Sequence, residues 1–199
     1  MAAWNEEAVI ARRIDNLLAS DYPEDRLEII IASDGSTDRT NEIVAEYAAR
    51  DDRVRLLALE HRGKTGTVNI AVQEATGDVI VNTDASTHFE EDALRKLVSY
   101  LGEDGPDCVT GSLIMLPRGD TPYNRGEDIY RRFENLLRFL ESKLGAGFHG
   151  SGACMAVRRE HYPQIPENTS DDLSPTLALA AQGHKIVHTL EVRVVDYMD

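Results

Sequence analysis

Short apolar runs rich in β-branched residues alternate with helical apolar patterns along residues 1–116, and this alternation restricts the chain to an α/β fold. The strand-like runs are Leu27–Ala32, Val54–Leu59, Val79–Val81 and Cys108–Leu116. The helical patterns cover Val9–Leu18, Ile43–Tyr47, Val68–Val72 and Leu94–Leu101. Strands that alternate with helices usually pair in parallel, so we expect a mostly parallel sheet flanked by helices.

The remainder of the sequence predicts a long amphipathic helix followed by shorter elements. The long helix is predicted over Glu127–Leu144, where apolar residues recur at helical spacing. Its apolar stripe would pack on the domain or on a neighbouring chain, because acids such as Glu134 and Glu141 suit a lipid surface poorly. The later elements are strands at Ala153–Val157, Ile186–His188 and Val192–Val195, and a helix from Leu173 to Ala180.

Length and charge narrow the class of protein. The 199 residues suffice for one domain with a full core, and the formal net charge of −14 disfavours nucleic acid as a partner. No apolar run reaches the roughly 18 residues that span a bilayer, and no signal peptide is recognisable, so we expect a cytoplasmic protein. The two cysteines, Cys108 and Cys154, lack the spacing of a zinc site, and Cys154 is predicted to lie in the core.

A lone carboxylate, Asp84, follows the apolar run Val79–Val81. Ligands of open α/β sheets bind outside the carboxyl ends of the strands, where Asp84 is expected to lie. A carboxylate in this place can hold a divalent cation against the phosphates of a nucleotide. The alternative is an Asp that only caps the helix that follows it.

Three other polar segments occupy comparable positions. Asp34 lies in Ser33–Asp38, directly after a predicted strand, and Lys64 lies in a Gly-rich helix start that could meet a phosphate. Lys64 could equally be an ordinary exposed lysine. Asp171 and Asp172 precede a predicted helix, where they are either partners of the helix dipole or a source of a general base.

The ordered set of these motifs resembles family 2 glycosyltransferases, which are inverting enzymes with the GT-A fold, over essentially the whole chain. The matching motifs are Trp4-Asn5-Glu6-Glu7, Ser33–Asp38, His61–Lys64, Asp84-Ala85-Ser86, Gly150-Ser151-Gly152 with Arg158-Arg159, and Asp171-Asp172. Each motif is common, whereas the order is specific. The resemblance implies a GT-A-like, or Rossmann-like, sheet and sugar transfer from a nucleotide sugar to an acceptor hydroxyl.

The resemblance also implies roles for individual residues. The nucleotide sugar, expected to be a UDP-sugar rather than a GDP-sugar, would be bound by Trp4, Glu6, Asp34, Lys64 and Asp84. Asp84 would ligate Mg²⁺ or Mn²⁺, and Asp172 would be the general base. The acceptor side, for a carbohydrate or lipid-linked acceptor of the kind used in polysaccharide biosynthesis, would comprise Gly150, Ser151, Gly152, Arg158 and Asp171.

The sequence departs from the family pattern in three respects. Ser86 replaces the second acid of the metal motif, the first strand is expected to be missing before Asn5, and the chain stops before the later motifs of the membrane-associated branches. We therefore expect a single GT-A-like domain, with a nucleotide-binding part at about 1–115 and an acceptor-side part at about 116–199. Its parent would be a larger enzyme with this chain as a cytosolic domain, and the parent could be membrane-anchored.

Two alternatives stay open at this point. The first is a catalytically inert binding or assembly module that retains the scaffold, which Ser86 and the expected absence of the first strand favour. The second is a sugar-phosphate nucleotidyltransferase, although the sequence lacks the basic Gly-rich N-terminal loop that such an enzyme would need.

Overall fold

The computed structural model describes residues 1–116, 122–145, 147, 150, 152–167, 169 and 173–197. Within these residues, helices and strands alternate up to the fourth strand, as the apolar pattern predicts, and the fifth strand follows the fourth without a helix between them. The strands are β1 Ala2–Ala3, β2 Ile29–Asp34, β3 Val54–Leu59, β4 Val79–Asn82, β5 Thr87–Phe89, β6 Cys108–Leu116, β7 Met155–Arg158 and β8 Ile186–Tyr197. The α-helices are α1 Ile10–Leu18, α2 Thr40–Ala48, α3 Lys64–Glu74, α4 Ala93–Tyr100, α5 Pro122–Lys143 and α6 Ser174–Ala181.

The first sheet is parallel and has the order β1-β2-β3. Ile29 of β2 pairs with Val54 of β3, and Ala2 of β1 pairs with Ala32 of β2. The expectation that the first strand is missing is therefore corrected: a strand is present, but it is only two residues long. Its pairing with β2 fixes residues 1–3 beside the loop that follows Asp34.

The second sheet has the order β4-β7-β6-β8-β5 and is mixed. Strand β6 runs parallel to β8 and antiparallel to β7, while β4 pairs antiparallel with β7 and β5 antiparallel with β8. The predicted α/β class with a parallel sheet flanked by helices is confirmed by the first sheet, and the later strands add antiparallel pairing. Because β4 and β7 are antiparallel, the carboxyl end of β4 lies at the start of β7.

An apolar groove of about 750 Å³ separates the two sheets. It is lined by Ile30 of β2, by Val79 and Val81 of β4, and by Val68 and Val72 of α3. The amino group of Met1 lies in this groove, where it donates a hydrogen bond to the carbonyl of Ile30 at 3.0 Å. Burial lowers the pKa of this amino group to about 6.

The core joins α1, α4 and both sheets. Ile10, Ile14, Ile31, Leu97 and Val109 are fully buried in it. Cys154 is also buried, as predicted, and burial raises the pKa of its thiol to about 12.

The long helix α5 packs on β6 and β8 but leaves an apolar face open. Seven apolar side chains with exposed fractions from 44% to 84% form this face: Ile129, Tyr130, Phe133, Leu136, Leu137, Leu140 and Leu144. Among the residues described, no helix combines the length and apolar character that crossing a membrane requires.

Candidate functional site

Asp34 ends β2, and the loop that precedes α3 surrounds its carboxylate. The backbone N–H groups of Arg62 and Gly63 donate to Oδ1 at 2.7 Å and to Oδ2 at 3.0 Å, and the hydroxyl of Thr67 donates to Oδ1 at 2.8 Å. Nδ1 of His61 lies 3.0 Å from Oδ2. Asp34 is only 4% exposed. Its carboxylate therefore fixes the start of α3 from inside the protein.

These contacts also lower the pKa of Asp34. Burial raises the pKa of the carboxyl, but the hydrogen bonds from Arg62 and Thr67, together with His61 and Gly63, outweigh that effect. The carboxyl consequently remains ionised well into the acidic range.

Two glycines make this arrangement possible. Gly35 has φ +71°, and a Cβ placed on it would lie 2.9 Å from the backbone nitrogen of His61. Gly63, the residue before α3, has φ +87°. A side chain at Gly35 would collide with the loop, whereas Gly63 is needed for its conformation, since left-handed backbone is costly for other residues.

Asp84 follows β4 and faces an open pocket. Its Oδ1 lies 2.8 Å from Nζ of Lys64, and the two side chains are 28% and 46% exposed. Both residues line the pocket with the first turn of α3, with Asn82 and Thr83, and with Gly152. The loop before α3 and the end of β4 thus bring together two predicted residues that are 20 positions apart in the sequence.

A buried arginine supports the Asp84 segment from below. Arg13 of α1 is fully buried and donates to the side chains of Asn16 and Thr83, each at 2.5 Å. Thr83 and Thr87 are hydrogen-bonded at 2.9 Å, and the Thr87 hydroxyl donates to the carbonyl of Asp84 at 3.0 Å. Burial lowers the pKa of Arg13 to about 10, which leaves the guanidinium charged at neutral pH.

Side chains of α3 and β4 hold a segment on the far side of the pocket. Asn69 donates to the carbonyl of Ile165 at 2.7 Å, and the Thr65 hydroxyl donates to the carbonyl of Thr169 at 3.1 Å. Asn82 donates to the Tyr162 hydroxyl at 2.6 Å. Tyr162, Ile165 and Thr169 are therefore hydrogen-bonded to the elements that position Lys64 and Asp84.

The first predicted motif lies against the second. Oδ1 of Asn5 accepts a hydrogen bond from the backbone N–H of Thr37 at 2.8 Å, and the backbone N–H of Glu6 donates to the Thr40 hydroxyl at 2.8 Å. The ring of Trp4, which is 58% exposed, lies 5.6 Å from that of His61. Trp4 and Glu6 are thus placed beside the Asp34 loop.

Arg158 lies away from this pocket. It pairs with Val79 at the start of β4, and its guanidinium donates to the carbonyls of Leu101 and Gly102 at 2.6 and 2.7 Å. The structure does not bring Arg158 together with Asp84. The antiparallel pairing places the end of β7 beside the start of β4, whereas Asp84 follows the end of β4. Gly150 is buried, whereas Ser151, Asp171 and Asp172 lie outside the described residues.

Sequence reasoning assigned no role to several polar residues in and around the site, namely Arg13, His61, Asn69, Asn82 and Tyr162. Arg13 falls within a predicted helix, where a charged residue is assigned to the solvent face by default. His61 begins the predicted motif that contains Lys64, and Asn82 lies two residues before Asp84, so both could have been found by considering neighbours of Lys64 and Asp84. Asn69 and Tyr162 have no sequence signal, since their partners lie 96 and 80 positions away.

The fold has close relatives of known structure. A mannosyltransferase from Pyrobaculum calidifontis, solved in complex with GDP-Man and Mn²⁺, superimposes with a TM-score of 0.77 at 28% identity. The alignment covers 98% of this chain and 55% of the mannosyltransferase. The predicted GT-A-like fold is confirmed by this similarity.

Sequence comparison agrees with the structural one. A beta-monoglucosyldiacylglycerol synthase of Nostoc sp. is 38% identical over 186 residues, which is 90% of this chain and 40% of that protein. The glycosyltransferase AglD of Haloferax volcanii is 36% identical over 86% of this chain and 28% of its own length. The chain therefore spans less than half of these relatives. The model described as "Glycosyl transferase family 2" matches residues 1–165, and the chain belongs to that family.

Proposed function

We propose that the chain transfers a sugar from a nucleoside diphosphate sugar to an acceptor hydroxyl, with inversion at the anomeric carbon. The observation that carries the proposal is the pocket in which Asp84, Lys64 and the first turn of α3 meet. The free N–H groups of a helix start attract phosphate oxygens, and a lysine adds a point charge. The diphosphate of the donor would therefore lie between α3 and the end of β4.

The residues of this pocket fit a hard divalent cation. Mg²⁺ and Mn²⁺ are commonly bound by one or two carboxylates together with substrate phosphates, so a single Asp84 is sufficient when the diphosphate is present. Asp84 and Asn82 line the pocket, and their side-chain oxygens are the ligands that we propose for it. Such a cation neutralises charge on the departing nucleotide. Lys64 would move from Asp84 to the phosphates when the donor binds.

The base and ribose would lie beside Trp4 and His61, whose rings form an exposed aromatic pair 5.6 Å apart. Asp34 already accepts hydrogen bonds from Arg62, Gly63 and Thr67 and lies against His61. We therefore assign Asp34 a positioning role, in place of the direct contact with the base that the family resemblance implies. By holding the loop, it would place both His61 and Lys64.

Asp172 is proposed as the general base that takes the proton from the acceptor hydroxyl. Two described residues that flank it in the sequence support this role. The carbonyl of Thr169 accepts a hydrogen bond from Thr65, and Pro175 lines the pocket with Asp84. A single displacement requires one base and no carboxylate nucleophile, which agrees with inversion.

The donor and acceptor are proposed from the relatives. The sequence resemblance favours a UDP-sugar, whereas the mannosyltransferase relative was solved with GDP-Man, so both nucleotides belong in a first panel. The glycolipid named for the Nostoc relative makes diacylglycerol in vesicles the first acceptor to test, beside free sugars. The family assignment does not favour a nucleotidyltransferase.

The test is release of nucleoside diphosphate from UDP- and GDP-sugars with Mn²⁺ and each acceptor. We expect acceptor-dependent release by the wild-type chain and at least about a hundredfold less by Asp172→Asn, since general bases contribute roughly 10²–10⁴-fold. Asp52→Asn is the matched control, because Asp52 is exposed and is not among the residues that line the pocket. Nucleotide binding without release by the wild-type chain would identify the inert module instead.

A further inference from the structure

A cluster of metal-binding side chains lies at the edge of the second sheet opposite to the Asp84 pocket. Asp107 immediately precedes β6, His161 ends the short 3₁₀ helix Arg159–His161 after β7, and His184 precedes β8. Cys108 of β6 pairs with Val157 of β7 and with Ile186 of β8. The topology therefore brings three segments that are distant in sequence to one edge.

The distances in this cluster suit a tetrahedral metal ion. Oδ1 of Asp107 lies 3.4 Å from Nε2 of His161, and Oδ2 lies 3.4 Å from Nδ1 of His184. All three residues offer a ligand atom within 4.8 Å of the others. Ligands bound to Zn²⁺ at about 2.0–2.1 Å are separated by about 3.4 Å in a tetrahedron. Small side-chain movements would thus suffice for coordination.

The backbone around the cluster is fixed. The backbone N–H of Lys185 donates to Oδ2 of Asp107 at 2.9 Å, and the N–H of Asp107 donates in return to the carbonyl of Lys185 at 2.9 Å. The N–H of Arg158 donates to the carbonyl of Asp107, and that of His184 to the carbonyl of Leu179. A carboxylate that is already held by hydrogen bonds on a rigid backbone favours metal binding, because little conformational entropy is lost when the ion is bound.

The cluster is also reachable from solvent. The side chains of Asp107, His161 and His184 are 27%, 29% and 20% exposed. A fourth donor is close, because Oε1 of the exposed Glu160 lies 3.7 Å from Nε2 of His161. Water could take the same position.

We propose that Asp107, His161 and His184 bind one Zn²⁺ ion, which ties the ends of β6, β7 and β8 together. Two imidazoles and one carboxylate favour Zn²⁺ over Mg²⁺ and Mn²⁺. The site is separate from the Asp84 pocket, because it lies at the end of β7 whereas Asp84 lies at its start. Its role is structural and does not depend on the proposed sugar transfer.

The test uses the tag-free chain of residues 1–199 after chelator treatment, titrated calorimetrically with Zn²⁺ in the presence of excess Mn²⁺. We expect one ion per chain, a melting temperature that rises with Zn²⁺, and at least about a tenfold weaker affinity in His161→Gln and in His184→Gln. Asp107→Asn should behave in the same way. His61→Gln is the matched control, because His61 lies beside Asp34 and is not one of the three residues of the cluster.

The melting temperature of each metal-free variant is first compared with that of the metal-free wild-type chain. The Zn²⁺ affinity of a variant whose melting temperature matches then decides the result. Replacing Zn²⁺ with Co²⁺ gives a second readout. The visible absorption of bound Co²⁺ should saturate at one equivalent per chain in the wild-type protein and should be absent in His184→Gln. Zn²⁺ binding that survives both histidine substitutions, or no binding by the wild-type chain, would overturn the proposal.

Discussion

Asp34 is the last residue of β2 and Asp84 lies two residues after β4, yet the surroundings of the two carboxylates differ. Asp34 is 4% exposed and accepts hydrogen bonds from two backbone N–H groups and a hydroxyl. The side chain of Asp84 is 28% exposed, and among the described residues its carboxylate forms an ion pair with Lys64. The first acid is engaged by the protein itself, whereas the second faces a pocket.

The difference indicates that the two acids have different roles, one in holding the loop and the other in binding a ligand, although the sequence motifs suggest one shared role. An acid whose oxygens are already satisfied holds the loop and cannot gain much from a ligand. A partly exposed acid that is paired with a lysine can exchange that partner for a cation and phosphates. We therefore expect substitutions of Asp34 to act on stability and substitutions of Asp84 to act on ligand binding.

The largest expected effect is the loss of stability in Asp34→Asn. The substitution removes the charged acceptor of the Arg62 and Gly63 N–H groups, so the free energy of unfolding should fall by about 3 kcal/mol. Chemical denaturation at neutral pH measures this change. Asp84→Asn is the matched control and should cost less than about 0.5 kcal/mol. Equal losses in the two variants would erase the distinction.

Arg13→Met should have the next largest effect. The substitution removes the donors to Asn16 and Thr83 beneath Asp84, and we expect a loss of about 2 kcal/mol. Arg12→Met is the neighbouring control, because Arg12 is exposed. Denaturation curves of both variants test the prediction. A cost at Arg12 as large as that at Arg13 would contradict the supporting role of the buried guanidinium.

The stability gap between the wild-type chain and Asp34→Asn should depend on pH. The pKa of Asp34 is below its ordinary value of 3.8, because its hydrogen bonds outweigh the effect of burial. The folded state then binds this proton more weakly than the unfolded state, so the contribution is complete above about pH 4 and is lost as the pH falls further. Denaturation from pH 7 down to pH 3 measures the gap. A constant gap would mean that the charge of Asp34 is unimportant.

The smallest effect on stability is expected for Lys64→Met. Its ion pair with Asp84 is 46% exposed on the lysine side, and such pairs contribute about 0.2–1 kcal/mol. The melting temperature should therefore fall by no more than about 4 °C, while nucleoside diphosphate binding weakens. A large drop in melting temperature would show that Lys64 belongs to the structural part of the site.

Much of the fold could be predicted because it follows from local apolar patterns. The strand Val54–Leu59 and the strand Cys108–Leu116 have the predicted bounds, and Asp84 and Lys64, which were predicted to share one site, lie 2.8 Å apart. In contrast, Thr87–Phe89 was missed because three residues give too short a pattern. The last strand was predicted as two, because the polar residues at its centre interrupt the alternation.

The rest depends on contacts between distant segments. No periodicity shows that Arg13 would be buried or that Asp34 would be enclosed by residues 61–67. Strand direction, which the sequence does not reveal, determines where the predicted acceptor-side residue Arg158 lies. The antiparallel pairing of β4 and β7 places it at the opposite end of these strands from Asp84. The pairing of β6 with β7 and with β8, which the sequence does not reveal, brings Asp107, His161 and His184 together.

We propose as the central claim that Asp84 holds the cation, which in turn binds the diphosphate, while Asp34 only shapes the site. Calorimetric titration of UDP and GDP into the wild-type chain, Asp84→Asn and Asp34→Asn, with and without Mn²⁺, tests it most directly. The account predicts Mn²⁺-dependent binding by the wild-type chain and by Asp34→Asn below its melting temperature, and at least about a tenfold loss in Asp84→Asn. Wild-type affinity in Asp84→Asn in the presence of Mn²⁺ would contradict it.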